Sequence, residues 1–179
     1  MKKEMHIVGI CGSFRKGSFN QIALDYAISH APESMTITQV SIHHLPFFNQ
    51  DLEDDPPKEV IEFRESIQKS DGLLLVTPEY NYSVPGVLKN AIEWGSRPYE
   101  QGVMKGKPVA IMGASIGQIG TARAQYMLRQ ICVQVDMKVL NRPEVMIPFI
   151  QDKIKDNQIT DNHTKEKIEE LLTSLVDSI

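Results

Sequence analysis

Residues 73–76 read LLLV, four apolar side chains in a row, preceded by Asp71 and Gly72 and followed by Thr77 and Pro78. A strand with one wet face alternates apolar and polar residues. An unbroken run this short is expected of a strand buried on both faces, at the centre of a parallel sheet covered by helices. A parallel sheet needs a crossover between successive strands, and the rest of the chain supplies them.

HIVGIC (6–11) is a second short apolar run, met by glycine. Phe19 to Ala31 places Ile22, Ala23, Tyr26 and Ala27 on one helical face, and Met35 to Val40 forms the next strand. Pro56 and Pro57 open a helix with Val60, Phe63 and Ile67 on one side, proline being suited to a first turn. Pro85 to Trp94 is a third helix, with Leu88, Ala91 and Ile92 inward and Gly95 as its C-terminal stop. KPVAIMGAS (107–115) is a fourth strand, and Gly120 to Val133 a helix aligning Ala124, Leu128, Ile131 and Cys132. Met137 to Leu140 and Val145 to Ile147 make a weaker fifth strand interrupted at Pro143. Thr164 to Ser178 closes the chain as a helix with Ile168, Leu171, Leu172 and Leu175 at helical spacing. Five strands alternating with five helices predict an α/β fold with right-handed crossovers. The 179 residues, with no repeat or linker, predict a single domain over 1–179.

In such sheets ligands sit beyond the carboxyl ends of the strands. That singles out the loops at 12–18, 77–84 and 114–119, which are also the stretches richest in Gly, Ser, Pro and polar residues. The first reads GSFRKGSFN over 12–20. Ser18 stands three residues before Gln21, a capping-box spacing, so a plain helix cap is one reading. The Walker A loop is disfavoured because Lys16 precedes Gly17 rather than following it, and the three glycines of the dinucleotide fingerprint are absent. A terminal phosphate monoester remains: free backbone N–H groups at a helix start, with Ser13, Ser18 and Asn20 as short donors and Arg15 as a fork of charge. The second stretch, TPEYNYSVPGVLKNAIEW (77–94), carries two tyrosines beside two prolines. A rigid turn explains the prolines; stiff backbone donors along the polar edge of an aromatic ligand explain the tyrosines as well. In ASIGQIG (114–120) small residues permit close approach of a planar ligand, or simply make a flexible connection.

These stretches, together with LPFFNQDLE (45–53) and ASIGQIGTARAQYMLRQ (114–130), give the chain a resemblance to the NADPH-dependent FMN reductase family, spanning about residues 6 to 147. The subgroup it looks like is the bacterial quinone, chromate and azo-dye reductases. The resemblance implies a three-layer, doubly wound flavodoxin-like fold whose five-stranded parallel sheet runs in the order 2-1-3-4-5. It implies FMN as cofactor and NADPH or NADH as cosubstrate. Ser13, Arg15, Ser18, Phe19 and Asn20 would then hold the FMN phosphate; Pro78, Glu79, Tyr80 and Asn81 would run along the isoalloxazine, mostly through backbone groups; Ser115, Ile116 and Gly117 would close the other side. It also implies hydride transfer to the flavin and on to small acceptors by a ping-pong cycle with no catalytic side chain. Glu79 is read as a loop carboxylate with backbone contacts rather than as an acid.

The formal charge of −4 gives no sign of a nucleic-acid or membrane partner. No apolar run is long enough for a membrane span, and MKKEMHIVGI lacks the pattern of a signal peptide. Cys11 and Cys132 sit in apolar patterns without metal or redox spacing, as core thiols of a reducing cytoplasm. His43 and His44 point apart in an extended chain, so no metal site is expected there. Arg123 and Tyr126 share a face of the fourth helix, with Glu144 as a candidate ion partner. The resemblance places them near the interface of a homodimer or homotetramer, with Phe47 and Phe48 shaping a neighbouring active site or else folding inward. Two other functions stay open at this point: a flavodoxin-like electron carrier, which the nearly balanced charge disfavours, and a phosphate-ester binding module.

Overall fold

The computed structural model describes residues 4–179, so the leading Lys2 and Lys3 of the N-terminal segment lie outside the described residues. The strands are β1 (Met5–Cys11), β2 (Met35–Gln39), β3 (Gly72–Val76), β4 (Pro108–Ala114), β5 (Lys138–Val139) and β6 (Val145–Ile147). The helices are α1 (Phe19–Ser29), α2 (Lys58–Gln68), α3 (Gly86–Gly95), α4 (Ala122–Gln134) and α5 (Asn162–Asp177). The sheet runs β2-β1-β3-β4-β5, all parallel. The last position is split: β5 pairs with the start of β4 and β6 with its end, at Met112 to Ala114. Pro143, which has no N–H to give a ladder, lies in the break.

The LLLV run is the middle of this sheet, and all four side chains are fully buried. Leu74 and Val76 face α1 and α5, with Ile22, Ala27, Leu171 and Leu172. Leu73 and Leu75 face α2, α3 and α4, with Phe63, Leu88, Trp94 and Leu128. Each such side chain contributes about 2 kcal/mol by leaving water, and both faces collect that gain. The apolar positions expected on each helix are those the structure buries, except Ile131, which is half-buried at the rim.

The boundaries differ in instructive ways. Gly95 does not stop α3 by a left-handed turn; it is the last helical residue, and a Cβ there would come within 2.5 Å of Met104, which packs into the space. The capping box at α1 is half formed. Ser18 Oγ accepts from Gln21 N at 3.4 Å, but the Gln21 carboxamide goes to Asp25 and Gln39 instead of returning to Ser18. A hairpin that the sequence reading left unassigned, β7 (Ile154–Lys155) and β8 (Gln158–Ile159), turns through Asp156 and Asn157, both at positive φ. The Asp-Asn pair suits such a turn, but arms of two residues show no period to detect.

Candidate functional site

The carboxyl ends of β1, β3 and β4 bring the three loops together through short contacts. Gly12 N donates to Val76 O at 2.8 Å, and Thr77 N donates to Met112 O at 2.9 Å, carrying the strand pairing one residue into the loops. The approach is close enough to exclude side chains. A Cβ on Gly113 would lie 2.1 Å from Thr121 Oγ1 and 2.2 Å from Thr77 O. Asn20, in the first turn of α1, reaches across to the end of β4: its Nδ2 donates to Ala114 O, and its Oδ1 accepts from Ala114 N, each at 2.9 Å.

The first loop folds round the start of α1. Ser13 and Ser18 are buried at its floor, and Arg15 and Lys16 stand at its exposed rim. Gly17 has a φ of 66° with open space at its Cβ position, a conformation glycine takes without penalty. The Ser13 and Ser18 hydroxyls accept from Arg15 N and Gln21 N respectively. The peptide N–H groups of Phe19 and Asn20 have no hydrogen-bond partner among the described residues, as the first turn of a helix leaves them. There is no acidic side chain in that turn. The Arg15 guanidinium lies 4.8 Å from the Phe19 ring centroid, with Nη1 donating to Lys16 O at 3.3 Å. These groups are donors gathered in one loop and the helix start that follows it, a set that suits a dianion.

The second loop is a tight hairpin. Tyr80 and Ser83 exchange both backbone hydrogen bonds, at 3.1 and 2.9 Å, and Asn81 and Tyr82 between them sit at φ 51° and 66°. Tyr80 and Tyr82 remain exposed. Pro78 lies behind Gly12, at 3.4 Å from the position of a Cβ there. The Glu79 side chain, nearly buried, pairs with Arg123 at 2.6 Å and accepts from Ala124 N at 3.2 Å. Glu79 is therefore a loop carboxylate with a backbone contact, and it is also the ion partner of Arg123. Glu144, expected in that place, instead stands 3.5 Å from Tyr126 Oη and 4.0 Å from Arg142 Nη1.

In the third loop the Ser115 hydroxyl donates to Gly120 O and accepts from Gly117 N at 3.2 Å. Ser115 thus shapes its own loop, and what faces outward is the exposed Ile116 side chain and the backbone of Gly117. Phe47 and Phe48 part company. Phe48 packs edge-on against Trp94, with ring centroids 5.0 Å apart, while Phe47 is 86% exposed. The rings of Phe14 and His43 stack at 3.6 Å and tie the first loop to the segment after β2. Spacing carries no signal for such a contact. Cys11 and Cys132 are free and buried, and burial pushes both thiols up, Cys132 to about 12. Among the described residues no helix is long and apolar enough to cross a membrane.

A cavity of about 720 Å³ lies away from these loops, between α3, the 96–105 segment and the C-terminal part of α4. Its lining mixes both charge signs (Lys89, Glu93, Lys105, Asp136). The three loops, by contrast, gather donors at a helix start next to exposed aromatic side chains.

The sheet order and its helical layers define a flavodoxin-like protein. Residues 5–152 match the family described as NADPH-dependent FMN reductase, and the chain belongs to that family. It is 47% identical over 177 residues to an NAD(P)H-dependent FMN reductase of Pseudomonas aeruginosa, covering 98% of this chain and 95% of the relative. It is 42% identical over 179 residues to a quinone reductase of Escherichia coli K12, covering 97% and 95%. Among solved structures it superposes on FerB, a flavoenzyme NAD(P)H:(acceptor) oxidoreductase from Paracoccus denitrificans. The TM-score is 0.90 at 34% identity, covering 97% of this chain and 96% of that one.

Proposed function

We propose that this chain is an FMN-dependent NAD(P)H oxidoreductase that reduces quinones and similar small acceptors at the platform formed by the three loops. The observation that carries the reading is the start of α1: two peptide N–H groups without a partner among the described residues, two buried hydroxyls and a nearby guanidinium, tied to the third loop through Asn20. FMN fits that donor set, and family membership supports FMN over other aromatic phosphates. When bound, FMN supplies the redox chemistry, taking a hydride from NAD(P)H and delivering two electrons to the acceptor.

The residues divide the work. Ser13, Ser18, Arg15 and the N–H groups of Phe19 and Asn20 neutralise and orient the phosphate. Pro78, Glu79, Tyr80 and Asn81 present a stiff backbone edge to the isoalloxazine. Ile116 and Gly117, in the loop set by Ser115, limit the opposite side. Tyr80, Tyr82 and Ile116 border an open face on which nicotinamide and acceptor bind in turn, so the cycle is ping-pong. Weak selection at an open face suits several acceptors: quinones, azo compounds, chromate and free flavins.

The chain works as one domain, since α5 returns to pack on α1 and the sheet. It acts as a homodimer or homotetramer in the cytoplasm. The outer side of α4 leaves Tyr126, Met127 and Val133 exposed, and with Arg123 and Glu144 nearby this face suits a second copy. Free, buried cysteines suit a reducing compartment.

Anaerobic mixing of the FMN-loaded protein with NADPH tests the reading. Rapid bleaching of the flavin, followed by recovery of colour on adding a quinone, is the expected result. A yellow protein that neither NADPH nor NADH bleaches would make it a carrier, and failure to take up FMN would remove the cofactor from the argument.

A further inference from the structure

Arg123 joins the second loop to helix α4. Its Nε and Nη2 both lie 2.6 Å from Glu79 Oε1. The other oxygen of the same carboxylate accepts from Ala124 N in the first turn of α4, a helix whose N-cap residue, Thr121, makes no side-chain cap bond. The Arg123 guanidinium carbon also lies 3.6 Å from the centroid of the Tyr82 ring. One charge therefore holds both a buried carboxylate and an aromatic ring of the same hairpin.

Both partners need holding. Tyr82 has a left-handed φ of 66°, which is unfavourable for a bulky residue and persists only where surroundings impose it. The residue is 66% exposed, so burial in the core does not hold it; the Tyr80–Ser83 hydrogen bonds of the turn require that φ, and the guanidinium stacked on the ring braces it. Glu79 unpaired would place a desolvated negative charge in the loop offered to an anionic ligand. Arginine meets both needs because its planar fork pairs with a carboxylate while its face stacks on a ring, a combination lysine cannot reproduce.

We propose that Arg123 is a positioning residue for the cofactor: acting through Glu79 and Tyr82, it fixes the 79–83 hairpin in the geometry that faces the flavin. The proposal rests on the reading that FMN lies across the three loops. It assigns the guanidinium a role within its own chain, whatever a second copy contributes to the exposed side of the same residue.

The hairpin supplies a readout that does not require cofactor. Tyr80 N–H and Ser83 N–H are hydrogen-bonded to each other's residue, so their exchange with solvent deuterium reports whether the turn is closed. In FMN-free protein, Arg123→Met should speed exchange at both amides about tenfold, while core amides of β3 keep wild-type rates. With FMN, the same variant should bind about tenfold more weakly, a loss of roughly 1.4 kcal/mol. Arg123→Lys should recover part of the affinity and only part of the protection. Glu79→Gln keeps the shape and an oxygen for Ala124 N, and should behave like Arg123→Met even if the latter folds poorly.

Wild-type exchange at Tyr80 and Ser83 in both Arg123→Met and Glu79→Gln would overturn the proposal. So would a smaller sedimenting species with both hairpin and FMN affinity unchanged, which would place Arg123 in an interface alone. If the wild type takes up no FMN, the cofactor reading falls by itself, and the exchange rates of the FMN-free protein still decide the clamp.

Discussion

The carboxamide of Asn20 pairs with the backbone N–H and C=O of Ala114, at 2.9 Å each, and the residue is only 3% exposed. A side chain from the first turn of α1 thereby acts as one more strand residue at the end of β4. The arrangement locks the phosphate-facing loop to the third loop, and it commits the carboxamide of a residue whose backbone N–H remains free.

Asn20→Ala should therefore cost stability before it costs chemistry. It leaves a buried donor and a buried acceptor on Ala114 unpaired, about 3 kcal/mol together. Urea unfolding of the FMN-free protein measures it. A loss under 1 kcal/mol would mean that water or backbone movement replaces the contact at little cost.

Arg15→Ala acts in the opposite order. Arg15 is exposed and holds no buried partner, so folding stability should stay within about 0.5 kcal/mol of wild type. FMN dissociation should rise by about thirtyfold, near 2 kcal/mol for one charged hydrogen bond to phosphate. Fluorescence titration with FMN and with riboflavin distinguishes the cause: the variant should lose affinity for FMN and keep whatever affinity the wild type has for riboflavin. Equal FMN affinity in both proteins refutes the phosphate role.

Gly113→Ala tests how closely the three loops meet. The added methyl would stand 2.2 Å from Thr77 O and 2.1 Å from Thr121 Oγ1, and neither backbone nor a buried threonine can move freely. A penalty of about 3 kcal/mol or more follows from overpacking. Thermal unfolding checks it; a melting temperature within two or three degrees of wild type would show that the junction is looser than its contacts indicate.

Asp161 caps α5, accepting from Thr164 N at 2.8 Å and Thr164 Oγ1 at 2.6 Å, and these bonds hold its carboxyl below the usual carboxylate range. A carboxyl lowered in the folded state stabilises it above the ordinary Asp pKa. That contribution fades as pH falls from about 4 through the lowered folded value. Asp161→Asn keeps a capping oxygen without the titration. The stability difference between wild type and variant should be constant near neutrality and shrink below about pH 4. A difference that does not change with pH over that window would refute the linkage.

Both thiols should resist alkylation in the native protein at pH 8, since burial raises them and shields them. Unfolding in guanidinium should release two reactive groups per chain, matching Cys11 and Cys132. Fast native labelling of either would contradict its place in the core.

Some of this was legible in the chain alone. The LLLV run and its flanking helical faces determined a doubly covered parallel sheet, because burial on two sides leaves an unmistakable pattern in local order. The interruption of the last strand position at Pro143 was visible for a different local reason, since proline has no N–H to give a ladder. The three loops could be located because they follow the strand ends, and Ser18 could be read as a cap because capping acts over three residues.

What the tertiary structure decided are the contacts between residues far apart in the chain. The Asn20 carboxamide reads as one more phosphate donor until Ala114 is brought beside it and takes both its polar atoms. Glu79 and Arg123 have no reason to meet in sequence, and Glu144 looks an equal partner until the fold places it with Tyr126 and Arg142. Gly113 looks like any strand glycine until Thr77 and Thr121 close on it. Local pattern records what hydrogen bonding and burial demand of a segment; it holds no record of which segment arrives on the other side, and at this site the arriving groups set the geometry.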